Sequence, residues 1–152
     1  MPDMNRGSRI RVQEEDEMKP IPQITRYMTE VPHTIGAEQS LATARDFMEK
    51  HRIRHLPVLS GGELRGILSD RDIKMALGFE GVNPITTRVE DIALEDPYVV
   101  SPTAKLDEVA ATMAERKIGS ALILDRKNLV GIFTATDAMM ALAELLRTRL
   151  SS

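Results

Sequence analysis

The feature that most constrains what this chain can fold into is that it matches itself at a fixed offset. Sliding the sequence by 65 positions lays residues 24–77 onto 89–142 without a gap. Of the 54 pairs so formed, 13 are identical, among them Glu30/Glu95, Pro32/Pro97, Leu41/Leu106, Gly66/Gly131, Asp72/Asp137 and Met75/Met140. Ordinary residue usage would give about one in fifteen by chance. Many remaining pairs exchange one apolar residue for another, as in Val58/Ile123 and Leu68/Phe133. A copy of this size buries little surface alone, so the two are expected to pack together into one core.

Each copy opens on an extended piece carrying a proline, VPHTI in the first and DPYVV in the second, which suits a short edge strand. A helix is predicted next, because Leu106, Val109, Ala110 and Met113 recur at i, i+3, i+4 and i+7, and Leu41, Ala44, Phe47 and Met48 trace nearly the same stripe. Ser101, followed by Pro102, is the expected N-cap in the second copy, with Gly36 or Ser40 in the first. Two apolar runs of strand length follow, 55–59 and 64–68, then 120–124 and 129–133, separated by the turn-rich SGGE and DRKN. A last helix starts near Ser69 or Thr134. The expected fold class is α/β (α+β), with two β-α-β-β-α repeats packed in pseudo-twofold symmetry into one module. The boundaries are a tail at 1–19, a first repeat at 20–80, a linker at 81–88, a second repeat at 89–147 and a tail at 148–152. The first tail mixes charges without periodicity and reads as mobile, with a short helix over 11–18 as the alternative.

Twenty basic residues against 23 acidic ones leave a net charge of −3, unlike the basic footprint of a nucleic-acid binder. DNA contact through the tail is weak too, since RGSRIRV is followed almost directly by EEDE. No cysteine means no disulfide and no thiolate zinc site, which fits a reducing compartment. No apolar run approaches a bilayer span and the N-terminus lacks the apolar centre of a signal peptide, so a cytoplasmic protein with no membrane partner is expected. Aromatic content of 3% without Trp leaves the core to aliphatic residues and methionine, and Met113, Met139 and Met140 read as core or interface filling.

Catalytic motifs are absent: no G-x-S-x-G, no P-loop, no H-E-x-x-H and no cysteine nucleophile, so an enzyme is not expected. His51 and His55 have the i, i+4 spacing of a zinc pair, but one ends a helix and the other begins a strand, so no metal site is expected. What remains is GILSDRD at 66–72 and its echo GIFTATD at 131–137. Ser69-x-x-Asp72 and Thr134-x-x-Asp137 fit a capping box, in which hydroxyl and carboxylate satisfy the first helical amides. The same position, a helix start directly after a strand, is also a seat for an anion or polar ligand, and a carboxylate there can accept hydrogen bonds from ribose hydroxyls. Both readings stand on the residues alone.

With the runs IRHLPVLSGGELRGILSDRD and IGSALILDRKNLVGIFTATD, the doubled unit closely resembles the CBS domain over about residues 21–145. The resemblance implies a pseudo-twofold pair, or Bateman module, with two clefts between the repeats that take adenosyl ligands such as AMP, ADP, ATP, S-adenosylmethionine or NAD. Carried over, Asp72 and Asp137 would hold ribose hydroxyls, with Ser69 and Thr134 beside the ribose or phosphate. Thr34, Ile35 and Ala37, and in the second copy Val99, Val100 and Pro102, would border the adenine. Ile53, Leu56 and Pro57, and their equivalents Ile118, Ala121 and Leu122, would give it apolar walls.

The copies differ where charge is concerned. Arg52, Arg54, His55 and Arg71 are expected around the first cleft, against Lys117, Gly119, Ser120 and Thr136 around the second, so phosphate is expected to prefer the first. The resemblance thus implies a regulatory energy or metabolite sensor with no cofactor beyond its nucleotide, and an effector protein the sequence does not identify. A homodimer through the terminal helices is expected because Met139, Met140, Leu142, Leu145 and Leu146 exceed what one buried face needs. The rival expectation is a ligand-free scaffold that only dimerises or docks.

Overall fold

A computed structural model describes residues 20–149. The 11–18 helix alternative and both chain ends lie outside the described residues. A 3₁₀ turn at Ile24–Arg26 and strand β1 (Thr29–Glu30) precede the first repeat, which runs β2 (Ile35–Gly36), α1 (Leu41–His51), β3 (His55–Ser60), β4 (Glu63–Ser69) and α2 (Asp70–Leu77). A short helix α3 (Val89–Ile92) precedes the second, which runs β5 (Val99–Val100), α4 (Leu106–Arg116), β6 (Ser120–Asp125), β7 (Asn128–Thr134) and α5 (Ala135–Arg149). This is the β-α-β-β-α order expected, twice over.

Pairing repeats with the sequence. In each copy the first strand runs parallel to the second and the second antiparallel to the third, giving β2-β3-β4 and β5-β6-β7. The register slips at Val58/Leu59 in one hairpin and at Ile123/Leu124 in the other, positions 65 apart. The central strands β3 and β6 are buried through their middles, at Leu56–Val58 and Ala121–Ile123, because both faces are covered.

The sequence units are not the packing units. β1, from the segment leading the first repeat, pairs antiparallel with β7 of the second, with Thr29 opposite Ile132. Reciprocally, Leu94 bridges Ile67 of the first repeat, its N–H donating to the Ile67 carbonyl at 2.9 Å and its carbonyl accepting from the Ile67 N–H at 3.0 Å. Ile24 is fully buried in the core of the second repeat and Val89 in that of the first. The first amide of α1 donates to the Thr87 carbonyl at 3.0 Å, and that of α4 to the Pro22 carbonyl at 2.9 Å. Each leading segment thus docks on the other copy.

Two expectations are corrected by this exchange. The single shared core is instead two, one inside each repeat, with a small third cluster of Ile67, Leu122 and Ile132 between them. The N-cap of the first copy is Ser40, whose Oγ accepts from the Thr43 N–H at 3.1 Å, but α4 starts at Leu106 rather than after Ser101. Lys105 takes the cap position without a side-chain bond, while Pro22 of the exchanged segment accepts from the first helical amide, as Thr87 does in the first copy.

Gly66 and Gly131 explain how the segments come so close. A Cβ on Gly66 would run into the Leu94 carbonyl oxygen, and one on Gly131 into the Met28 sulfur. Mid-strand glycine here stands beside the register slip of each hairpin and leaves room for the close approach of a crossing segment.

Candidate functional site

At the end of β4 the chain turns directly into α2, and Ser69 and Asp72 close a capping box. The Ser69 N–H donates to Asp72 Oδ2 at 3.2 Å and the Asp72 N–H to Ser69 Oγ at 3.0 Å. After β7 the Thr134 N–H donates to Asp137 Oδ2 at 2.9 Å and the Asp137 N–H to Thr134 Oγ1 at 3.3 Å. The capping reading is therefore realised in both copies. It does not consume the carboxylates, because each helix start borders an open cleft.

Cleft A has a volume of about 480 Å³ and is bordered by Thr134, Thr136 and Asp137 of the second repeat. Its opposite side comes from the first repeat: Pro32 and His33 ahead of β2, and Arg52, Arg54 and His55 after α1. Cleft B, about 590 Å³, is bordered by Ser69, Arg71 and Asp72 of the first repeat. Facing them are Pro97 and Tyr98 ahead of β5, and Lys117, Ile118 and Gly119 after α4. Both volumes suit a small-molecule site.

The expected grouping of charge is corrected by this arrangement. Arg52 and Arg54 face Asp137 and Thr136 in cleft A, whereas Arg71 lies in cleft B beside Asp72, with Arg116 and Lys117 on the facing side. The four basic residues of the first copy do not form one cluster, because each cleft takes its helix start from one repeat and its strand entrance from the other. Cleft A holds two arginines against one carboxylate; cleft B holds three cations against Asp72 and Asp96.

Several expected wall residues stand elsewhere. Ile35, Ala37, Leu56 and Ala121 belong to the two cores, and Pro57 is fully buried in β3. Thr34 faces a different depression beside Leu59 and Leu64. Val99 and Val100 lie in β5, the first exposed and the second packed on its core, and neither borders a cleft. The expected ring shifts toward the N-terminus, to His33 and Tyr98, since the strands that follow turn into the core. The paired prolines Pro32 and Pro97 were the visible signal for this position. Thr29 and Leu94 also border clefts because the exchanged segments bring them there, along with Ile132 and Ile67, the strand residues they pair with.

Equivalent positions carry different chemistry. His33 stacks on His51 with ring centroids 4.0 Å apart, whereas at the matching positions Tyr98 lies under the Arg116 guanidinium at 5.2 Å. Partial burial pushes the His51 pKa below 6.5, with His33 and then Lys50 adding repulsion. His55 borders both clefts. Burial lowers its pKa, Asp72 opposes that, Arg54 reinforces it and Asp70 opposes it more weakly. In cleft A the Thr29 hydroxyl donates to Asp137 at 3.3 Å, while Leu94 holds the matching place beside Asp72 and offers no hydroxyl. Among the described residues no group of three or more His, Asp or Glu could hold a metal ion, and no helix is long and apolar enough to cross a membrane.

Fold and site together define a paired module, two α+β repeats in reciprocal contact with a carboxylate-capped cleft on each side. The family model for the CBS domain matches residues 24–78 and 89–144, and the chain belongs to that family. It is 30% identical over 113 residues to the CBS domain-containing protein YhcV of Bacillus subtilis, covering 72% of this chain and 78% of that protein. The AcuB protein of Vibrio cholerae superposes with a TM-score of 0.77 at 30% identity, over 88% of this chain and 98% of that one. The CBS domain pair of protein MJ0100, solved in complex with 5-methylthioadenosine and S-adenosyl-L-methionine, gives 0.75 at 26% identity, over 82% and 98%. An inosine-5'-monophosphate dehydrogenase of Korarchaeum cryptofilum is 33% identical over 105 residues, but these are only 21% of that enzyme.

Proposed function

We propose that this chain is a cytoplasmic regulatory CBS pair that binds an adenosyl ligand, AMP, ADP, ATP, S-adenosylmethionine or NAD, in the clefts between its repeats. The observation that carries the reading is the placement of Asp72 and Asp137. Each caps a helix that starts at the rim of an open cleft whose far side bears cations from the other repeat. A carboxylate accepts the vicinal hydroxyls of a ribose, and the arginines and lysine opposite suit phosphate. Cation-bearing walls and volumes of about 480 and 590 Å³ match a nucleotide better than an apolar ligand. That MJ0100 was solved with two adenosyl compounds supports the same class.

Isothermal calorimetry with the five compounds tests this. Asp72→Ala is expected to weaken binding by about 1–3 kcal/mol, the loss of a charged hydrogen-bond partner, which is roughly five- to 150-fold. Loss of thermal stability with affinity unchanged would reduce the carboxylate to a cap.

A second reading, a scaffold that dimerises or docks on an effector protein, is favoured by one feature. Met139, Met140, Leu142 and Leu146 leave an exposed apolar stripe on α5, and Met75, the equivalent of Met140, is exposed on α2. The same stripe supports a homodimer through the terminal helices. A folded dimer giving no heat with any of the five compounds would select the scaffold.

A further inference from the structure

The two clefts share one side chain. His55 borders both, whereas Ser120, its counterpart 65 residues on, borders only cleft B. The asymmetry is answered across the pseudo-twofold axis. Gly119 stands where the first copy has Arg54, and a Cβ there would lie 2.9 Å from His55 Nε2. The imidazole occupies the space that an absent side chain leaves.

Its charged neighbours also belong to different clefts. Arg54 is part of cleft A, Asp72 is part of cleft B, and Asp70 lies just outside, at the start of α2. Resting on the reading of both clefts as nucleotide sites, we propose that His55 couples them, so that a nucleotide in one weakens the binding of a second nucleotide in the other.

Phosphate beside Arg54 offsets the guanidinium that disfavours a proton on His55. The imidazolium then draws on Asp72, the acceptor a ribose needs in cleft B. In the opposite direction, a ribose on Asp72 diminishes that carboxylate's support for the imidazolium, which leaves less positive charge beside a phosphate in cleft A. The effect is the same from both sides, as linkage requires.

Calorimetric titration of the full chain with AMP tests the proposal against two single-cleft variants. Thr136→Trp fills cleft A and Lys117→Trp cleft B with a neutral ring, both at exposed positions that leave His55, Asp72 and Asp137 in place and add no charge beside them. The wild type is expected to bind two AMP, the second at least fivefold more weakly than either single-cleft variant binds its one. In His55→Ser, which installs the residue of the equivalent position, the second step is expected within about twofold of the weaker single-cleft affinity. His55→Gln, similar in length and uncharged, is expected to do the same should the smaller side chain unfold the chain. A wild-type isotherm equal to the sum of the two single-cleft isotherms overturns the coupling and leaves the nucleotide reading intact, as does coupling that persists in both His55 variants. No binding of AMP, nor of ADP, ATP, S-adenosylmethionine or NAD in its place, removes the nucleotide reading and the coupling with it.

Discussion

Gly66 and Gly131 are identical in type, equivalent in position and both pressed against an exchanged segment, yet their substitution by alanine is expected to cost very different amounts. At Gly66 the obstacle is backbone: the Leu94 carbonyl oxygen, with its carbon 3.1 Å from the new Cβ. The segment must withdraw, losing the pair of hydrogen bonds at 3.0 and 2.9 Å that joins Leu94 to Ile67. Two such bonds at about 1 kcal/mol each, with about 1–3 kcal/mol for overpacking, are offset by about 0.4–1 kcal/mol from removing a glycine from the unfolded chain. The net loss is about 3 kcal/mol.

At Gly131 the obstacle is the Met28 side chain, with its sulfur nearest, then Cγ at 3.0 Å and Cε at 3.2 Å. A thioether chain can rotate aside for roughly 0.5–1.5 kcal/mol, which the same glycine term nearly cancels. Urea melts of the two variants are therefore expected to differ by about 2–3 kcal/mol at unchanged slope. That corresponds to roughly 4–12 °C in thermal midpoint for a chain of this size. Gly66→Ala should also disturb cleft B, which Ile67 and Leu94 border, and spare cleft A. Equal losses, or a larger loss at Gly131, would refute the idea that the Leu94 segment is held by backbone contact.

Acid should destabilise the fold. His51 and His55 are both held below 6.5, so the unfolded chain binds their protons first; stability is complete above that value and declines as pH falls through it toward the folded pKa values. The thermal midpoint is expected to drop between about pH 7 and pH 5.5, less steeply in His55→Gln; an identical profile in that variant would remove His55 from the account. Val31, β-branched and exposed, sits at φ 47 ahead of Pro32, a left-handed conformation costing about 1–2 kcal/mol. Val31→Gly is expected to raise stability by about 1 kcal/mol in urea melts, and a loss would mean that the strain is absent. Met140→Glu on α5 is expected to halve the mass measured by sedimentation if the apolar stripe joins two copies, and an unchanged mass would place the contact elsewhere.

The parts of this molecule that sequence makes legible are those fixed within a few residues. Element order follows from the apolar spacing of α1 and α4 and from the turn chemistry of SGGE and DRKN. Both capping carboxylates follow from a hydroxyl and an acid three positions apart. Which copy carries each leading segment is a different kind of fact, because Ile24 suits the core of either repeat and only long-range contact decides between them. The sequence does hold one trace of that choice. A glycine interrupts an apolar strand at the same place in both copies, where a side chain would be expected unless another segment had to pass. Once the exchange is recognised, the chemistry of the clefts has to be counted across copies. Arg52 and Arg54 border the same cleft as Asp137, and Lys117 the same cleft as Asp72, so neither repeat contains a whole cleft. Any change that frees one leading segment removes part of a cleft wall and part of the other repeat's core together. For that reason, the folding of each repeat and the shape of a cleft are coupled through the same few contacts.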